Sequence, residues 1–169
     1  GKTFPMDVRH DYDGNPCSHR KAHNVYGTQM ARATYEGVKR FAYPKRPFII
    51  TRSAYSGSQR YTSSWTGDNV ASWEHLWIAN IQMLRMSICG MGFTGSDIGG
   101  FAEQPSGELY ARWIQLGVFH PFCRTHSSGD HGEQEPWSFG KEVIDITRKF
   151  VFVAFVEGLK KIYENDIVK

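Results

Sequence analysis

Tyr61-Thr62-Ser63-Ser64-Trp65-Thr66-Gly67-Asp68-Asn69 is the stretch on which the fold turns. Its first residues suit an extended strand, and at Trp65 it breaks into glycine, a carboxylate and an amide, the composition of a strand with a polar end. Two later stretches repeat the arrangement: Gly92-Phe93-Thr94-Gly95 leads into Ser96-Asp97-Ile98-Gly99-Gly100, and Val118 to Cys123 leads into Arg124-Thr125-His126. Upstream, the continuous apolar run Phe48-Ile49-Ile50-Thr51 suits a strand buried on both faces and is followed by Arg52.

The segments between these runs are helical by spacing. From His23 to Phe41, Val25, Tyr26, Met30, Ala33, Tyr35, Val38 and Phe41 recur at helical period, with Asn24 as N-cap and Pro44 and Pro47 beyond the end. Ser72 to Ser87 opens like a capped helix and stops before Gly90, and another helix runs from Ser106 through Gln115 to Leu116. Residues 1–22, rich in Asp, Gly, Asn, Pro and His, read as a long loop. Four strands alternating with helices give the α/β class with a parallel sheet, all polar strand ends on one rim. In a β/α barrel that rim carries the catalytic groups.

Composition narrows the partners. The 169 residues fit one unit at the usual length of about 100 to 200 residues per domain. A net charge of +3, from 20 Lys plus Arg against 17 Asp plus Glu, is too small and dispersed for nucleic acid or an anionic membrane to be the main partner. No stretch has the length of a membrane span. Cys17, Cys89 and Cys123 are odd in number and contain no Cys-x-x-Cys pair, so neither a disulfide framework nor a zinc finger is indicated. His19 and His23 are spaced to share a helix face near Cys17, but three or four ligands are needed for zinc, and we expect no metal and no cofactor. Aromatic residues, 14% of the chain with five Trp, sit beside turns and charges as often as inside apolar runs, which suits a ligand-stacking surface.

Asp68 and Asp97 are the acids at strand ends. An acid beside an indole suits sugar chemistry, in which one carboxyl protonates the leaving oxygen while a second carboxylate attacks the sugar or activates water. The same residues also serve as turn or N-cap aspartates, and the residues alone leave both readings open. Arg52 has a planar fork that can hold a carboxylate or two sugar hydroxyls, or make a structural ion pair. His126 can donate to a ligand hydroxyl or be a hydrogen-bonded loop histidine. Trp65, Phe101 and Trp137 can form apolar platforms or partial core.

Taken together, Arg46-Pro47-Phe48-Ile49-Ile50-Thr51-Arg52-Ser53, Gly57-Ser58-Gln59-Arg60-Tyr61, Trp65-Thr66-Gly67-Asp68-Asn69, Gly95-Ser96-Asp97-Ile98-Gly99-Gly100-Phe101, Arg112-Trp113 and Arg124-Thr125-His126 resemble glycoside hydrolase family thirty-one. The resemblance extends from about Phe4 to Val151 and includes His23-Asn24-Val25-Tyr26-Gly27. It implies a partial (β/α)₈ TIM barrel, about strands five to eight with their helices, over residues 1–151, in a retaining α-glycosidase of α-glucosidase or α-xylosidase type. It also implies Asp68 as general acid/base, Arg52 and Asp97 as groups holding the sugar or its neighbouring charges, Trp65 and Phe101 as pocket walls and His126 as a hydroxyl ligand.

The family's nucleophile motif, of the form Trp-x-Asp-Met-Asn-Glu, does not occur in these residues. The expectation is therefore a fragment that is inert alone, with an α-linked oligosaccharide or α-glucoside as the substrate of the whole. Its partner would be the missing barrel half or a second copy; the rival reading is a sugar-binding or self-associating half-barrel without chemistry. Residues 152–169 depart from the family pattern and read as an amphipathic helix with Phe152, Phe155, Val156, Leu159 and Ile162 on one face.

Overall fold

A computed structural model describes residues 3–157. The chain divides into two compact units, Gly1–Ser64 and Trp65–Lys169.

In the first unit the stretch read as a loop contains an antiparallel pair, β1 (Arg9–His10) and β2 (Cys17–Ser18), with Arg9 opposite Ser18. The chain passes directly from it into helix α1 (His19–Phe41). That helix starts four residues before the expected point, so the N-cap is Ser18, and Asn24 lies inside the first turns. The polar residues His19, Arg20 and Lys21 hid the start because the burial that selects it falls on His19 and Ala22. Further on, Ile50 and Ser63 form a parallel bridge; the Thr51 amide donates to the Ser63 carbonyl at 3.1 Å and the Ser63 amide to the Ile49 carbonyl at 2.9 Å. The Ser64 hydroxyl closes onto the Thr51 carbonyl at 2.9 Å. The Phe48 to Thr51 run is less enclosed than expected, with Ile49 and Ile50 half-buried and Phe48 60% exposed.

The second unit begins at the end of β3 (Ser64–Trp65) and holds the expected alternation. Helix α2 (Trp73–Ile88) is capped by Ser72, whose hydroxyl accepts from the His75 amide. Helix α3 (Gly107–Gly117) is capped in the same way by Ser106, which accepts from the Leu109 amide. Between them the third expected strand is interrupted at Ser96 into β4 (Thr94–Gly95) and β5 (Asp97–Ile98).

The fourth expected strand is displaced. Val118 caps α3, and the amides of Phe119 and His120 turn back onto Leu116 and Gly117, so the apolar residues after the helix complete its last turn. The ladder forms later, at β6 (Arg124–Thr125), parallel to β5 with Asp97 opposite Arg124 and Ile98 opposite Thr125. A second parallel contact joins Val70 to Ala102.

The core of this unit is the buried face of α3, Leu109, Tyr110, Trp113 and Ile114, closed by Ala79 of α2, Ile98 of β5 and Val143. Val143 belongs to a further helix, α4 (Lys141–Val151), which follows a 3₁₀ turn at Pro136–Phe139 and whose Phe139 ring stacks on Tyr110 at 4.6 Å. The chain then continues as a π-helical segment, Phe152–Glu157; the rest of the expected C-terminal helix lies outside the described residues.

Candidate active site

Three segments of the second unit converge by main-chain hydrogen bonds. Gly67 has a left-handed φ of 83°, which turns the chain after Trp65, and the Asn69 amide folds back onto the Gly67 carbonyl at 3.0 Å. The Thr66 hydroxyl donates to the Asn69 side chain, and the Thr66 amide donates to the Gly95 carbonyl at 3.2 Å. The buried Asn69 carbonyl then accepts two amides of the next segment, Phe101 at 2.7 Å and Ala102 at 3.0 Å. The Phe101 carbonyl accepts the Ser128 amide at 2.9 Å, which brings in the third segment.

This bracing assembles five of the six expected site residues. Asp68 is exposed on the turn that follows the half-buried Trp65. Phe101 lies beside the exposed His126, their ring centroids 5.3 Å apart. Asp97 is fully buried, and the register of β5 and β6 puts Arg124 against it: the guanidinium donates through Nε at 3.0 Å and Nη2 at 2.9 Å, both to Oδ1. Its Oδ2 accepts no hydrogen bond among the described residues. Burial raises the Asp97 pKa above the ordinary carboxylate range; the Arg124 charge and hydrogen bond and the His126 charge oppose that, and the Asp68 charge adds to it. Asp97 therefore senses both Asp68 and His126 electrostatically, which ties the three groups to one locality.

Arg52, the sixth, is exposed in the first unit at the end of the Ile49 to Thr51 segment and is described within that unit alone. Trp137 is exposed on the 3₁₀ turn.

The sequence reading gave no role to Arg124, Ser96 or Trp113. Trp113 is fully buried in α3 and its indole N–H donates to the Ser96 hydroxyl at 2.9 Å, anchoring the strand break that presents Asp97. The pairing of Asp97 with Arg124 joins residues far apart in sequence, and the only signal for it was that both follow apolar runs.

No three His, Cys, Asp or Glu side chains among the described residues are arranged to hold a metal ion. His19 instead shares hydrogen bonds at both ring nitrogens, with His10 at 2.9 Å and His23 at 3.1 Å. Cys17, Cys89 and Cys123 are free thiols. No helix among the described residues is long and apolar enough to cross a membrane.

Residues 2–153 match the family described as the glycosyl hydrolases family 31 TIM-barrel domain. The chain is 45% identical over 150 residues to Alpha-glucosidase 2 of Bacillus thermoamyloliquefaciens, covering 89% of this chain and 19% of that protein. It is 44% identical over 151 residues to the Glucosidase 2 subunit alpha of Saccharomyces cerevisiae, covering 88% of this chain and 16% of that one. Among solved structures, a glucosidase II alpha subunit with Glc1Man2 bound superposes with a TM-score of 0.84 at 36% identity, over 90% of this chain and 16% of its own. The chain thus spans less than a fifth of the length of these relatives. Motifs, parallel strand pairs and superposition agree, and this chain belongs to glycosyl hydrolases family 31 and to its TIM-barrel domain.

Proposed function

We propose that this chain carries the acid/base part of a retaining α-glucosidase that removes terminal α-linked glucose. The observation that carries the reading is the main-chain bracing of the turn bearing Asp68 to the segments bearing Asp97, Phe101 and His126. In this role Asp68 delivers a proton to the leaving oxygen in the first step and takes one from water in the second. Trp65 and Phe101 wall the sugar, and His126 meets a hydroxyl. Asp97 holds the neighbouring charge of Arg124.

Retaining chemistry also needs a nucleophilic carboxylate about 5 to 5.5 Å from the acid. Asp97 is a poor candidate, being fully buried and bound by Arg124. The family's nucleophile motif does not occur in these 169 residues, and the isolated chain is expected to show no turnover. The test is a graft in which residues 4–151 replace the matching segment of the Bacillus Alpha-glucosidase 2. It should cleave an alkyl α-glucoside, and Asp68→Asn should lower kcat/KM by about 10² to 10⁴. An active Asn variant would remove Asp68 from the acid role.

One observation favours a self-associating piece as the second reading: Phe41, Tyr43, Trp77, Ile88 and Phe119 are all strongly exposed. Light scattering on the chain decides it, since a monomer at all concentrations rules it out.

A further inference from the structure

We propose that Arg124 is a positioning residue for the acid-bearing turn: bound along its edge by Asp97 and laid across Trp65, it fixes the indole that leads into Asp68. The inference rests on the reading of Asp68 as the acid and concerns a residue outside the six site residues expected from the motifs.

The geometry gives the guanidinium two separate tasks. Its edge makes two contacts, from Nε and Nη2, to a single carboxylate oxygen of Asp97, 3.0 and 2.9 Å long. Its Cζ lies over two aromatic rings, 5.5 Å from the Trp65 centroid and 5.0 Å from the Phe122 centroid. The two contacts hold the group beside the rings, and its position limits where the indole can rest. Asp97 cannot swing to follow a moved arginine, because it is fully buried and sits in the β5 and β6 register directly opposite. The strand it stands on is itself held, since Ser96 is bound by the buried Trp113. A rigid wall thus faces Trp65 on one side.

On the other side Trp65 leads into a turn with little freedom of its own. Thr66 is tied to Gly95 by its amide and to Asn69 by its hydroxyl, so Asp68 moves with the segment that Trp65 begins. A displacement of about 1 Å at an acid is enough to cost roughly 10² in rate. Lysine keeps the charge beside Asp97 but has neither the fork nor the plane, so it separates orientation from neutralisation.

A purely structural ion pair would affect every substrate alike. A positioning role for the acid falls mainly on substrates whose leaving group needs a proton. In the graft, Arg124→Lys and Arg124→Met should lower kcat/KM by about 10- to 100-fold on an alkyl α-glucoside, and by less than about fivefold on a dinitrophenyl α-glucoside, which departs without protonation. Equal losses on the two substrates, or an unchanged kcat/KM in Arg124→Met, overturn the proposal.

A graft that is inactive with both Asp68 and Arg124 intact counts against the proposed function rather than against Arg124. The 169-residue chain then carries the test through its ¹H–¹⁵N spectrum. Arg124→Lys should shift the Trp65 indole N–H resonance and leave that of Trp113, held by Ser96, in place; a Trp65 resonance that does not move overturns the proposal.

Discussion

Gly100 approaches Ala71 so closely that a Cβ at position 100 would stand 2.6 Å from the Ala71 nitrogen. The contact is backbone on backbone, where the strand carrying Asp97 turns under the segment that follows Asp68. Gly100 also has a φ of +92°, a conformation that L side chains rarely adopt.

Gly100→Ala should therefore destabilise the chain by at least the strain of a forced left-handed residue, about 1 to 3 kcal/mol, read as a lower urea midpoint. The neighbouring amides that clasp Asn69 should exchange faster in the variant, because the clash falls between the two segments they join.

Helix α1 offers an internal contrast. A glycine inside a helix costs about 1 kcal/mol relative to alanine, so propensity alone favours Ala at both Gly27 and Gly37. Gly37 meets nothing within 4 Å, and Gly37→Ala should stabilise the chain by roughly that amount. At Gly27 an added Cβ would lie 2.4 Å from the Ser53 Cβ and 2.7 Å from the Ser53 carbonyl oxygen. Gly27→Ala should destabilise, and a thermal melt of the two variants side by side should show opposite signs.

His19 is 2% exposed between His10 and His23. Burial first, then the two neighbouring imidazoles, holds its pKa below the ordinary 6.5. The folded chain thus resists a proton that the unfolded chain accepts near 6.5, so the His19 contribution to stability is complete above that pH and is lost as pH falls through the lower folded value. Urea midpoints should drop between about pH 7.5 and about pH 5, and His19→Gln should reduce the drop; an undiminished drop would assign the effect to other groups.

Among the described residues, the buried Ser96 hydroxyl takes its hydrogen bond from the indole of Trp113. Trp113→Phe keeps most of the volume but leaves that hydroxyl buried without the donor, at a cost of about 1 to 3 kcal/mol. Trp113→Phe combined with Ser96→Ala should recover part of the loss in a double-mutant cycle, because the apolar pair leaves no polar atom to satisfy.

The alternation of strands and helices was legible because its signals are local. Ser72 and Ser106 each cap a helix with the hydroxyl contact that their position before an acidic, apolar run implies, and Gly90 ends α2. The misses have non-local causes. The start of α1 at His19 is set by burial of a histidine among histidines, which carries no apolar signature. The Val118 to Cys123 run looks like a strand, yet Val118 is buried in the core cluster that the face of α3 builds, and the ladder waits for Arg124 and its partner Asp97. At the site, the candidate residues Asp68, Asp97 and His126 stood out as polar groups after apolar runs, whereas Arg124 and Trp113 bind partners 27 and 17 positions away and became visible only in the fold.

The doubly used carbonyl of Asn69 has a consequence for how such a site can change over generations. Because two amides of the neighbouring segment grip an atom that every residue possesses, the frame around Asp68 owes part of its shape to no particular side chain. Substitutions around the proposed sugar site can therefore accumulate on a fixed scaffold, and a library varied at positions such as Phe101 and His126 should keep the frame while its members diverge in what they accept.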